Sequence, residues 1–225
     1  TQTVFALLTF AIGFVVRPLG ALLFARMGDL VGRKTVFLIT LVMIGVSTIT
    51  VGLLPDSSQI GVLAPILLIV CRIVQGLAVS GEFGSALTYV SEYAPNRSRG
   101  FFVGWLVGTT ALALSVSLGV QLAVETIVGT EAFNDWGWRI PFFIGASLAI
   151  FAAVMRRDMH ETEQFTEAKK QSKPMGSMRG LLKYPRELLL VVGLTAGGTA
   201  AFYTFTTYMQ TFVKLSVGLT ADQTT

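Results

Sequence analysis

Between Ala64 and Tyr93 the chain reads APILLIVCRIVQGLAVSGEFGSALTYVSEY, a continuous apolar stretch that nonetheless carries Arg72, Gln75 and Glu82. As a helix rising roughly 1.5 Å per residue, it is long enough to cross a hydrocarbon layer of about 30 Å. Ionisable side chains at that depth are costly unless they face protein or a wet cavity. At about 100° per residue, Gln75, Glu82 and Tyr89 fall on one stripe, with Arg72 within a quarter turn of it. Other helices must therefore shield that stripe from lipid. It is either the wall of a solute pathway or an internal ion pair that locks helices together. Small residues suffice for packing alone in a membrane, which favours the pathway.

The remaining sequence supplies such helices. Of 225 residues, 52% are hydrophobic and only 13% charged, the balance of an all-α, multi-pass membrane protein rather than a soluble domain. Apolar runs predict six spans: about Val4 to Phe24, Thr35 to Leu54, Ala64 to Val90, Phe101 to Val124, Pro141 to Met155, and Leu188 to Val213. The single cysteine, Cys71, lies inside a span and excludes a disulfide framework or thiolate metal cluster. The single histidine, His160, sits in a charged stretch and reads as solvated. No nucleophile–base pair or metal-ligand spacing appears, so neither an enzyme nor a bound cofactor is expected. The chain opens at Thr1 inside an apolar run and stops at Thr225 just after a helix, so it reads as a piece of a longer protein.

Basic residues predict the orientation. One set of connections holds Arg26, Arg33 and Lys34, then Arg97 and Arg99, then a long segment from Arg156 to Arg186 rich in Lys and Arg. The opposite connections, Pro55 to Leu63 and Glu125 to Trp138, hold none before Arg139. The basic side is expected to be cytoplasmic, so the net charge of +4 reflects topology and calls for no nucleic acid.

The spans differ in character. Thr35 to Leu54 and Pro141 to Met155 carry no charge and are expected to face lipid. Phe101 to Val124 places Gly104, Gly108, Ala111, Ser115 and Gly119 at helical spacing, a stripe expected to pack closely on a neighbour. The first span ends in Arg17-Pro18-Leu19-Gly20, where Pro18 removes a backbone hydrogen bond. Arg17 reads equally as a cavity residue or as an anchor snorkelling to the surface. In the last span Thr199, Tyr203, Thr206 and Gln210 share a helical face of neutral donors, a wall for a polar solute or a set of interhelical bonds.

Gly28-Asp29-Leu30-Val31-Gly32-Arg33-Lys34 places an acid near one helix end, a glycine for the turn and two bases at the next helix start. This resembles the signature between the second and third helices of the major facilitator superfamily. Arg72-Ile73-Val74-Gln75-Gly76 resembles that superfamily's fourth-helix motif. Within the superfamily, Ser80-Gly81-Glu82-Phe83-Gly84, Glu92-Tyr93-Ala94-Pro95 and Trp136-Gly137-Trp138-Arg139-Ile140-Pro141-Phe142 are similar to the metabolite–proton symporter family. The stretch from Phe202 to Gln210 resembles its 2-oxoglutarate and dicarboxylate permeases. Ala25 and Leu30 depart from the loop signature, which usually has glycine and a basic residue there, so its charge pairing is thinner unless Arg26 substitutes.

The resemblance implies helices two to seven of a twelve-helix fold. Residues 1–155 would form the N-terminal bundle, 156–187 a cytoplasmic linker and 188–225 the start of the C-terminal bundle. It further implies proton-driven uptake of a small carboxylate across the cell's inner membrane by alternating access. Osmolyte, citrate or shikimate-like substrates, and a non-transporting sensor, stay open. On this view Arg17, Arg72, Gln75, Tyr203, Thr206 and Gln210 bind substrate, Glu82 carries the proton, and Asp29, Gly32 and Arg33 gate the cytoplasmic end. Arg72 and Glu82, ten residues apart and so roughly 15 Å in rise, are each expected to find a partner elsewhere.

Overall fold

The computed structural model describes residues 9, 11–161, 165–167, 183–209, 212 and 216, except the side chains of 206 and 207. The chain divides into two compact units, Thr1–Gly176 and Ser177–Thr225. Among the described residues, five helices long and apolar enough to cross a membrane belong to the first: α1 (Arg17–Val31, the larger part of an apolar helix that begins at Ala11), α2 (Arg33–Leu53), α3 (Leu63–Tyr93), α4 (Arg99–Val128) and α5 (Arg139–Arg157). The second holds α6 (Pro185–Tyr203), prolonged by a π-helical turn at Thr204–Tyr208.

Local chemistry sets most boundaries. The apolar helix that contains α1 runs from Ala11 to Val31, several residues beyond the predicted end at Phe24. It is interrupted at Val16, and Pro18 sits in the first turn after the break, where its missing N–H costs no ladder bond. Gly32, at φ 107°, separates α1 from α2 in a conformation that favours glycine. Leu54 and Ala94 both turn extended ahead of Pro55 and Pro95, ending α2 and α3. Gly129, at φ 84°, ends α4.

In lipid a helix gains little from hiding apolar surface, so close packing must hold the bundle. Between α1 and α3 that packing runs through glycines. A Cβ on Gly20 would lie 2.6 Å from the Leu77 carbonyl oxygen, and one on Gly81 2.7 Å from Phe24 Cβ. A Cβ on Gly76 would run into the Gly13 carbonyl and lie 2.8 Å from Val16 Cγ2. No side chain larger than hydrogen fits there.

The uncharged stretch of α2, from Thr35 on, departs from the expectation that it faces lipid. It packs most extensively against α3 and α5, burying Val36, Phe37, Leu41 and Val51 while leaving Ile39, Val42, Val46 and Leu53 outside. Absence of charge cannot tell lipid from protein, because both are apolar. Thr40 and Ser47 are buried too, their hydroxyls donating to Val36 and Met43 carbonyls of their own helix. The α4 stripe also departs from expectation. Among the described residues no atom beyond the helix's own nearby backbone lies within 4 Å of a Cβ built on Gly104, Gly108 or Gly119, and no α4 residue is buried.

Candidate functional site

α1, α2 and α3, with the turns preceding α1, line an open cavity of about 200 Å³. Gly13, Phe14 and Arg17 line it from the first helix, Ile44 from α2, and Arg72, Gln75, Gly76 and Val79 from α3. The spacing 72, 75, 76, 79 is one face of a helix, so α3 presents its polar stripe there. Glycine makes the space: Gly13 and Gly76 bring the two backbones together without filling it.

Arg72 Nη1 donates to Gln75 Oε1 at 3.1 Å, an i,i+3 pair that turns the guanidinium along α3. Gln75 Nε2 in turn donates to Thr48 Oγ1 of α2 at 3.4 Å. Arg17 stacks over the Phe14 ring at 4.1 Å, and its buried Nε has no hydrogen-bond partner among the described residues. The cavity thus holds two guanidinium groups with donor capacity to spare, and none of the described residues that line it is acidic.

Glu82 does not line this cavity. Arg156, in the last turn of α5, brings Nη1 to 2.7 Å from Glu82 Oε1, an ionic contact without hydrogen-bond alignment. The same guanidinium lies 5.0 Å above the Phe37 ring of α2. Arg72 and Glu82 therefore do have separate partners. Arg72 finds its partner on its own helix.

Asp29, Gly32 and Arg33 meet at the basic end of the bundle. Arg33 Nη2 lies 3.1 Å from Glu92 Oε1 of α3 and 3.6 Å from Asp29 Oδ1, and Nη1 donates to the Gly28 carbonyl. The Arg33 and Glu92 side chains are 14% and 13% exposed, so water screens this pair far less than a surface bridge. Glu161 closes the cluster. Its carboxylate accepts from the backbone N–H of Arg33 at 3.0 Å and of Lys34 at 2.9 Å, two donors that a helix start otherwise leaves unpaired. A Cβ on Gly32 would sit 2.7 Å from Glu161 Cδ, a second reason for glycine there. Arg26 is not needed for this pairing. The Tyr89 hydroxyl donates to the His160 carbonyl at 3.2 Å, so His160 contributes backbone to the cluster.

In the second unit Tyr203 is half-buried, with its ring edge-on to Phe202. Thr206 falls in the π-helical turn, and Gln210 lies outside the described residues. A π turn adds a residue to the helical repeat, so the backbone register shifts from Thr204 onward. Most of the expected linker also lies outside the described residues.

Sequence reasoning missed Thr48, Arg156, Glu161 and the role of Glu92. Glu92 belongs to a motif that resembles the family's but has no neighbouring charge in sequence. Thr48 is one hydroxyl in an apolar helix, and Glu161 is one acid in a charged segment. Neither stands out by spacing.

Membrane-length helices around an arginine-bearing cavity are the construction of a solute-handling membrane protein. The sequence profile of the Major Facilitator Superfamily matches residues 1–225, and the chain belongs to that superfamily, with transporters and not with enzymes. It is 41% identical to the alpha-ketoglutarate permease of Escherichia coli, over 95% of this chain and 49% of the permease. It is 38% identical to the proline/betaine transporter of Escherichia coli, over 98% of this chain and 46% of the transporter. The citrate-proton symporter of Klebsiella pneumoniae is 32% identical, over 96% of this chain and 49% of the symporter. The chain spans about half the length of these relatives. The inward-open xylose transporter XylE of Escherichia coli shares the fold, with a TM-score of 0.64 over 92% of this chain and 50% of that one, at 18% identity.

Proposed function

We propose that the intact protein carries a small carboxylate, 2-oxoglutarate or a related dicarboxylate, together with protons across a bacterial inner membrane by alternating access. The observation that carries this reading is the charge of the cavity: Arg17 and Arg72 among its lining residues, and no acid among the described ones. A guanidinium presents a planar fork that matches a carboxylate. The names of the permease and symporter relatives support an organic acid and proton coupling. The proline/betaine relative supports a zwitterion instead. A betaine brings a cationic pole, for which the lining offers no carboxylate, and Arg17 already covers the Phe14 ring. That favours the dicarboxylate.

In this reading residues 1–155 form the N-terminal bundle, 156–187 the cytoplasmic linker and 188–225 the start of the second bundle, with the basic connections inside. Arg17, Arg72 and Gln75 meet substrate from the first bundle, and Tyr203, Thr206 and Gln210 from the second. Glu82 takes the proton when its pair with Arg156 opens, and Asp29, Gly32 and Arg33 hold the cytoplasmic end. The proton gradient is the only driving agent, and no cofactor takes part. The test is uptake of labelled 2-oxoglutarate, citrate and betaine by the intact protein in proteoliposomes, with and without an inward proton gradient. Gradient-dependent 2-oxoglutarate uptake is expected, together with severe loss in Arg72→Lys, which keeps charge but loses the fork. Near-normal uptake by Arg72→Lys, or uptake of none of the three solutes, overturns the reading.

A further inference from the structure

Arg72 and Gln75 form a pair whose orientation is decided by a third residue. A guanidinium only donates, so the Gln75 atom facing Arg72 must be the oxygen, and the amide nitrogen must then find an acceptor. That acceptor is Thr48 Oγ1, across the helix boundary at 3.4 Å. The hydroxyls of Thr40, Ser47 and Thr50 on the same helix donate to carbonyls of α2 itself. The Thr48 hydroxyl points to α3 instead. Its methyl faces the other way: a Cβ built on Gly145 of α5 would touch Thr48 Cγ2 at 3.8 Å. One β-branched residue thus turns its methyl toward α5 and its hydroxyl toward Gln75.

We propose that Thr48 is a positioning residue for substrate recognition. It fixes the Gln75 amide, which aims the Arg72 guanidinium into the cavity. This rests on the reading of Arg72 as the carboxylate ligand. Without the Thr48 oxygen the Gln75 amide is free to rotate, and Arg72 loses the acceptor that sets its plane. Substrate binding then weakens while turnover of the loaded carrier stays as it was.

The experiment measures uptake kinetics of the intact protein at matched, correctly folded levels, using labelled 2-oxoglutarate, or citrate or betaine should the wild type carry those. Thr48→Val keeps the shape and removes the acceptor, and a roughly three- to tenfold rise in KM with unchanged kcat is expected, the effect of one neutral hydrogen bond. Thr48→Ser keeps the acceptor and loses the methyl, and it should restore the wild-type KM. In a Gln75→Leu background Thr48→Val should change nothing further, because the relay is already cut. If the valine variant does not reach the membrane, Thr48→Ala removes the same acceptor. An unchanged KM in the acceptor-less variant overturns the proposal. So does a serine variant as impaired as valine, or an additive effect in the Gln75→Leu background. A tolerated Arg72→Lys would bring down the carboxylate reading itself. A severe loss in Arg72→Lys alongside an unaffected Thr48→Val would bring down only the relay.

Discussion

Glu161 holds the start of α2 by two bonds to backbone N–H groups, so removing it should be visible at those same two amides. A hydrogen bond to a charged acceptor contributes about 1.5–3 kcal/mol, and water reaching the freed donors recovers part of that. A net loss of about 2–4 kcal/mol follows for Glu161→Ala, which is roughly 30- to 1000-fold in an opening equilibrium. Amide exchange reads that equilibrium directly. Hydrogen–deuterium exchange of a peptide covering Gly28 to Val36 should therefore accelerate by at least tenfold, while a peptide within α5 stays as in the wild type. Glu161→Gln keeps an acceptor but loses the charge and one bond, and should fall between. Unchanged exchange at Arg33 and Lys34 in the alanine variant would refute the clamp.

Two further outcomes follow from the packing and the ion pairs. Gly76→Ala should lower the thermal stability of the purified protein by about 1–3 kcal/mol, the cost of overpacking against the Gly13 carbonyl, whereas Gly104→Ala should be neutral because among the described residues nothing lies within 4 Å of that Cβ; equal stability of the two would contradict the packing. Glu82→Gln should destabilise by leaving Arg156 without its counter-ion, and Glu82→Gln with Arg156→Met should recover stability; proton-driven uptake that also returns in the double variant would show that Glu82 serves only the pair.

Much of the first unit is legible in the sequence because its determinants are local. Pro55, Pro95, Gly32 and Gly129 punctuate the helices through their own backbone constraints, and Arg72 and Gln75 face one way because three residues nearly complete a turn. What is not legible depends on helices far apart in the chain. Glu82 and Arg156 are 74 positions apart, and no periodicity on either helix announces the other. Glu161 reads as one of several charges on a surface segment until Gly32 is placed beside it. From Thr35 on, α2 looks like a lipid-facing helix from its composition, and only its neighbours reveal that one side is interior. The register beyond α6 is illegible for a different reason, since a constant period assumes a repeat that a single π-helical turn shifts.

The glycine contact between the first helix and α3 has a mechanical consequence. Side chains that interdigitate act as teeth, and moving one helix along another then requires rotamers to change in concert. The first helix and α3 mesh in this way: Val16 lies against Gly76, Ser80 against Gly20 and Phe24 against Gly81. α2 and α5 are geared likewise, since Gly52 receives the Phe142 side chain and a Cβ there would lie 3.1 Å from Phe142 Cβ. The bundle is therefore stiff on both sides, and one helix moves only if its neighbour moves with it. Arg17 and Arg72, on helices meshed at three points, would then travel together rather than slide past one another.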